Sequence, residues 1–224
     1  MSGEKIALHT SDGKQISAYV ARPAAAATAG VVVVQEIFGV NSHIRSVTDR
    51  LASAGYLSIA PAFFDRLQPG VERGYEAEDI AAGRELAMAL KPADILADLN
   101  AGIAWLRAAG CQKVAVVGFC FGGTVAWRAA SASHIDAAVG YYGGGIHAMR
   151  DLAPRVPTML HFGEHDHYIP IAQVQDLIKQ YPDMPIHIYD ADHGFHCDQR
   201  SSYDDKAAKL AYARTLEFLA QHLS

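Results

Sequence analysis

Three side chains in this 224-residue chain stand where their chemistry would be usable: a cysteine in a glycine-flanked turn, a loop aspartate and a loop histidine. Gly118-Phe119-Cys120-Phe121-Gly122-Gly123 lies between an apolar run, 113–117, and a helix-forming run, 122–132. This is the G-x-S-x-G elbow with sulfur in the serine place. A strand-to-helix turn sharp enough to expose a side chain strains that residue's backbone, and small neighbours relieve the crowding. The amino end of the following helix puts partial positive charge near the sulfur, which favours a thiolate. The Phe121 amide is then placed to donate to an oxyanion. A buried, inert cysteine is the alternative, but glycines at −2, +2 and +3 argue for the reactive reading. Cys111, at the start of a strand, and Cys197, with no elbow around it, read as structural or incidental.

On a sheet that carries such an elbow, the acid follows a later strand and the base follows the last one. The run 158–162 leads into Gly163-Glu164-His165-Asp166-His167-Tyr168-Ile169-Pro170, in which Asp166 is the expected acid and Glu164 its rival. The run 186–189 leads into Asp190-Ala191-Asp192-His193-Gly194-Phe195-His196, in which His193 is the expected base. His196 competes, but His193 lies nearer the strand end and has Gly194 behind it to let the chain turn. Asp190 and Asp192 read as turn formers.

After the valine run of the first central strand comes Gln35-Glu36-Ile37-Phe38-Gly39. Glu36 falls where it would look onto the sulfur, and a carboxylate beside a thiol suggests control of the thiol's proton. The plainer reading is a loop glutamate paired with a surface arginine. His161, His165, His167, Asp166, His193 and His196 could surround zinc, yet their loop spacings are weak metal signals and no H-E-x-x-H is present, so no metal is expected.

The elements that must position these residues follow from periodicity and punctuation. Runs 5–9 and 15–21 flank Ser11-Asp12-Gly13-Lys14, a hairpin signal. Run 30–35 suits a strand buried on both faces. Strands are also expected at 56–60, 113–117, 137–142, 158–162 and 186–189. Helices are expected at 42–54, 76–90, 93–109, 122–132, 170–179 and 205–222, with Pro92 breaking the long helical region. Such alternation points to an α/β fold, a doubly wound and mostly parallel sheet of about eight strands with helices on both faces. Ligands gather at the carboxyl ends of strands in such sheets. No repeat or linker divides the chain, so 1–224 reads as one domain.

A net charge of −5 with no Lys/Arg run gives no case for nucleic acid. No apolar run is long enough to span a membrane, and residues 1–10 hold no apolar signal segment. Three cysteines at no zinc spacing fit a reduced, cytoplasmic setting. Whether the chain is a monomer or a dimer is not encoded in these patterns.

Taken in order, Q-E-I-F-G, G-F-C-F-G-G, G-Y-Y-G, G-E-x-D-x-x-I-P and H-G-F resemble the dienelactone hydrolase (carboxymethylenebutenolidase) family over roughly residues 6–219. The resemblance implies an α/β-hydrolase fold and a carboxylic ester hydrolase that opens an unsaturated lactone during aromatic-compound degradation. It implies Cys120 as nucleophile, His193 as base, Asp166 as its orienting acid and Glu36 as acceptor of the thiol proton when substrate displaces it. The Ile37 and Phe121 amides become the oxyanion hole, and no metal or organic cofactor is implied. Chlorocatechol-pathway members carry two arginines that hold the substrate carboxylate. The later one would fall at Cys197 here, which leaves Arg200 to reach inward in its place. The earlier one would lie in the helical region near Arg84, where the spacing does not fix the register, with Arg73 as the alternative, and Phe38, Tyr141, Tyr142 and Trp105 are candidates for the pocket wall or the core. The same residues leave open a general short-chain esterase or thioesterase, or a non-catalytic sensor built on a reactive thiol.

Overall fold

The apolar runs assemble into one eight-stranded sheet in the computed structural model, which describes residues 3–224. Residues 1 and 2, part of the span read as one domain and of the stretch read as lacking a signal, lie outside the described residues. The strands are β1 (Glu4–His9), β2 (Gln15–Ala21), β3 (Ala29–Val34), β4 (Leu57–Pro61), β5 (Lys113–Phe119), β6 (Ala137–Tyr141), β7 (Thr158–Gly163) and β8 (Ile186–Tyr189). Their order is β1-β2-β4-β3-β5-β6-β7-β8. β1 and β2 pair antiparallel, as do β2 and β4, and every later pairing is parallel.

The valine run explains why β3 is central. Side chains alternate across a strand, so Val31 and Val33 face one side and Val32 and Val34 the other. The first pair joins the core under Ile44, Val47 and Leu51 of α1 (Ser42–Ser53) and Ala211 and Leu219 of α6 (Asp205–Leu223). The second pair joins the core under Leu99, Ile103 and Leu106 of α3 (Pro92–Ala108) and Val125 and Ala129 of α4 (Phe121–Ala132). β3 and β5 are neighbours, and the connection after β3 runs outward to β4 while the one after β5 runs the other way to β6. That reversal opens a crevice at the carboxyl ends of β3 and β5.

Most element ends agree with expectation to within a residue or two, and the departures have physical causes. β5 runs on through Phe119 and α4 begins at Phe121, so Cys120 alone separates strand from helix. β6 stops one residue early because Tyr142 turns out of the strand at φ 38°. Pro92 opens α3 as its first residue, where its missing amide has no helical partner to lose. α2 (Ala77–Ala89) ends just before it, and α5 (Ile171–Gln180) matches closely. Two short 3-10 turns, Phe63–Arg66 and His147–Met149, had no sequence signal. Among the described residues no helix is long and apolar enough to cross a membrane.

The start of α1 is tied down by one side chain. Asn41 Oδ1 accepts from the Ile44 amide at 3.2 Å, and its Nδ2 donates to the Arg73 carbonyl and the Tyr75 hydroxyl. Asn41→Ala is expected to lower stability by about 1–2 kcal/mol, read as a lower urea midpoint at unchanged m-value.

Candidate active site

Cys120 sits at φ 54°, ψ −112°, outside the comfortable regions for an L-residue. Three connections hold it there. Its amide donates to the Tyr141 carbonyl at 3.0 Å, while its own carbonyl accepts from the amides of Gly123 and Thr124. The elbow is also packed against its surroundings without side chains. A Cβ on Gly118 would lie 1.9 Å from the Gly122 carbonyl oxygen, and one on Gly122 would lie 2.3 Å from that of Val34. The two glycines let α4 descend onto β5 and the end of β3.

The loops after β7 and β8 bring the other two groups. His193 Nε2 is 3.3 Å from Cys120 Sγ, and His193 Nδ1 donates to Asp166 Oδ2 at 2.7 Å. The second Asp166 oxygen accepts from the Tyr168 and Ile169 amides at 2.8 and 3.1 Å, so the buried carboxylate is fully engaged. Burial alone would disfavour a charged ring at His193. The facing Cys120 sulfur and the Asp166 carboxylate outweigh it and push the imidazole up to about 10. Gly194 follows at φ 78°, and a Cβ there would lie 2.4 Å from the Arg200 guanidinium. The expected residue types therefore meet, and their rivals do not. Glu164 is exposed, and His196 is buried with both ring nitrogens unpartnered, its ring 5.0 Å from that of Phe119. Asp192 accepts from the His193 amide, as a turn former should.

A cavity of about 220 Å³ opens beside the sulfur, lined by Ile37, Phe38, Arg84, Cys120, Phe121, Tyr168, His193 and Arg200 among others. The Ile37 and Phe121 amides donate to no acceptor among the described residues, and both residues line this cavity. Arg84 lies over the Tyr168 ring at 5.1 Å, and that ring stands edge-on to His193. A larger groove of about 610 Å³ lies at the amino ends of β7 and β8, lined by residues such as Thr158, Pro185 and Arg214, far along the strands from the elbow.

Several expectations need correction. Glu36 is buried, but its Oε1 accepts from Arg200 Nη1 at 3.3 Å and it makes no hydrogen bond with Cys120 among the described residues. Its arginine partner is no surface group, because the Arg200 side chain is 13% exposed and lies over the faces of Phe38 and Tyr75. Tyr142 does not line the cavity. The turn at its positive φ buries it completely, with its ring 5.1 Å from that of His193. Arg73 lines a separate surface cleft with Asn41 and Glu72, drawn there by the bond from its amide to the Phe38 carbonyl. Tyr141 is core, its hydroxyl 2.6 Å from that of Thr215, and Trp105 packs on the other face under Arg22. Cys197 is fully buried, as a structural cysteine would be, and lies close to Glu36 and His43.

Tyr168 and Thr124 also line the cavity and were not anticipated. Tyr168 was detectable two residues beyond Asp166, and Thr124 one helical turn beyond Cys120. His161, considered earlier as a zinc ligand, is buried with its nitrogens facing the Tyr189 and Thr215 hydroxyls.

A mostly parallel sheet in this strand order, its fifth strand closed by a strained elbow at the topological switch point, is an α/β-hydrolase. Residues 16–223 match the model of the dienelactone hydrolase family, and the chain belongs to that family. It is 40% identical over 228 residues to a provisionally named carboxymethylenebutenolidase of Synechocystis sp., covering 93% of each chain. It is 34% identical over 235 residues to the carboxymethylenebutenolidase of Pseudomonas putida, covering 98% of this chain and 97% of that one. A crystal structure provisionally assigned as a dienelactone hydrolase of Klebsiella pneumoniae superposes with a TM-score of 0.83 at 31% identity, over 97% of this chain and 99% of the other. The chain is accordingly a carboxylic ester hydrolase of the dienelactone hydrolase type.

Proposed function

We infer that this protein opens an unsaturated lactone of the dienelactone kind to its open-chain carboxylate, through an acyl-thioester on Cys120, within cytoplasmic degradation of aromatic compounds. All of 1–224 serves as one domain in that reading. The observation that carries it is the alignment of Cys120 Sγ, His193 and buried Asp166 at 3.3 and 2.7 Å, beside a cavity that two arginines line.

The steps follow from the groups present. A substrate carboxylate entering the cavity competes for Arg200, which releases Glu36 from its 3.3 Å pairing to take the Cys120 proton. The thiolate attacks the ester carbonyl, and the Ile37 and Phe121 amides stabilise the oxyanion by about 3 kcal/mol per donor. The lactone C–O bond breaks and the protonated Glu36 carboxyl gives the proton to the departing enolate oxygen, which restores the Glu36 carboxylate. Once sulfur is acylated it carries no proton or charge to exchange with the ring, and the neutral His193 imidazole is free to act as a base. Oriented by Asp166, it takes a proton from water, and hydroxide attack releases the acid and restores the thiol.

Steady-state rates on cis- and trans-dienelactone beside an uncharged short-chain ester test the assignment. Arg200→Lys keeps the charge but loses the planar fork. The lactone KM is expected to rise about tenfold, in line with one weakened charge-assisted hydrogen bond, while the uncharged ester's KM stays put. A wild-type protein that turns over the ester and ignores both lactones would instead be a short-chain esterase.

A further inference from the structure

Glu36, His43 and Cys197 come from the loop after β3, the first turn of α1 and the loop after β8, and each offers a ligand atom within 4.8 Å of the other two. All three are 0% exposed. Glu36 Oε2 and His43 Nε2 have no hydrogen-bond partner among the described residues, an expensive state for buried polar atoms that an occupant between them would relieve. The other ring nitrogen, His43 Nδ1, faces Asp198 Oδ1 at 3.3 Å. A proton on Nδ1 satisfies that carboxylate and leaves the Nε2 lone pair turned inward. An imidazole backed by a carboxylate in this way is the usual support of a metal-bound histidine.

One carboxylate, one imidazole and one thiolate form a borderline-soft set that suits zinc and not magnesium or calcium. Cys197 as thiolate and ionised Glu36 together carry two negative charges, which match a dication. We propose that Glu36, His43 and Cys197 form a site for a single Zn²⁺ ion, and that the ion switches hydrolysis off by holding Glu36 in place. Binding makes one Zn–O, one Zn–N and one Zn–S bond and sends the Cys197 thiol proton to solvent. Oε1 of Glu36 stays with Arg200, so the ion takes the free Oε2. The binding stands on this geometry alone, whereas the switch rests on the role given to Glu36 under the proposed function.

Co²⁺ is the binding probe, added to the Cys120→Ala protein so that the pocket thiol cannot contribute. One equivalent is expected to give the strong near-ultraviolet absorption of a cobalt thiolate, displaced by Zn²⁺. The band should vanish in Cys120→Ala/Cys197→Ala, with Cys197→Ser in its place should alanine fail to fold, and His43→Gln should weaken binding at least tenfold. No saturable band in Cys120→Ala, or a band that survives without Cys197, overturns the site. For the switch, Zn²⁺ should suppress dienelactone turnover of the wild-type enzyme and EDTA should restore it. In Cys197→Ala the ratio of rates with and without Zn²⁺ should approach one. Stoichiometric binding with undiminished turnover overturns the switch and keeps the site. Turnover unaffected by Glu36→Gln overturns the proposed role of Glu36 and leaves the cobalt result standing.

Discussion

Replacing Cys120 by alanine is expected to cut kcat by about 10⁴-fold or more, the scale on which nucleophile deletions act in hydrolases of this logic. The folded state should survive, because the side chain is only partly buried and the elbow is held by backbone bonds to Tyr141, Gly123 and Thr124. Matching far-ultraviolet dichroism and thermal midpoint, with turnover lost on every ester, is the predicted outcome. Residual turnover within tenfold of wild type would place the nucleophile elsewhere. Removing His193 is a weaker probe of the same point, since it deletes the base and the side chain that faces the sulfur together.

The largest effect on stability is expected at the elbow glycines. Gly118→Ala puts a methyl 1.9 Å from the Gly122 carbonyl oxygen, and Gly122→Ala puts one 2.3 Å from that of Val34 and 2.7 Å from that of Gln35. All three obstacles are backbone, so neither a rotamer change nor a flexible neighbour can absorb the clash. The strand must separate from the helix. Each substitution is expected to cost more than about 4 kcal/mol, in the range reserved for gross steric or polar faults, and to yield little folded protein. Gly144→Ala provides the contrast in the cavity wall. Its new methyl would meet only Ile169 Cγ1 at 3.8 Å, and a change within about 1 kcal/mol is expected. Denaturant titration of the three variants separates the cases.

Fold class and the three central side chains were legible because each leaves a local mark. An unbroken valine run marks a doubly covered strand, the glycines at 118 and 122 mark the elbow, and Asp166 and His193 each fall four residues beyond an apolar run. What was not legible depends on where a loop side chain points. Tyr142 looked like the last residue of a strand, but a positive φ directs it inward. Arg73 and Arg84 both fit the helical region by type, and only the bond from the Arg73 amide to the Phe38 carbonyl shows which one is carried away from the cavity. Cys197 carried no motif of its own. Its neighbours Glu36 and His43 are more than 150 residues away in the chain, and no periodicity reports such a meeting.

The sulfur and the imidazole that meets it are separated by 73 residues, with β6, β7 and β8 laid down between them. Contacts of such long separation form late, after the loop entropy of the intervening chain has been overcome. During refolding the thiol therefore meets its imidazole only once the final strands have docked, so the return of turnover is a clock for the last stage of assembly.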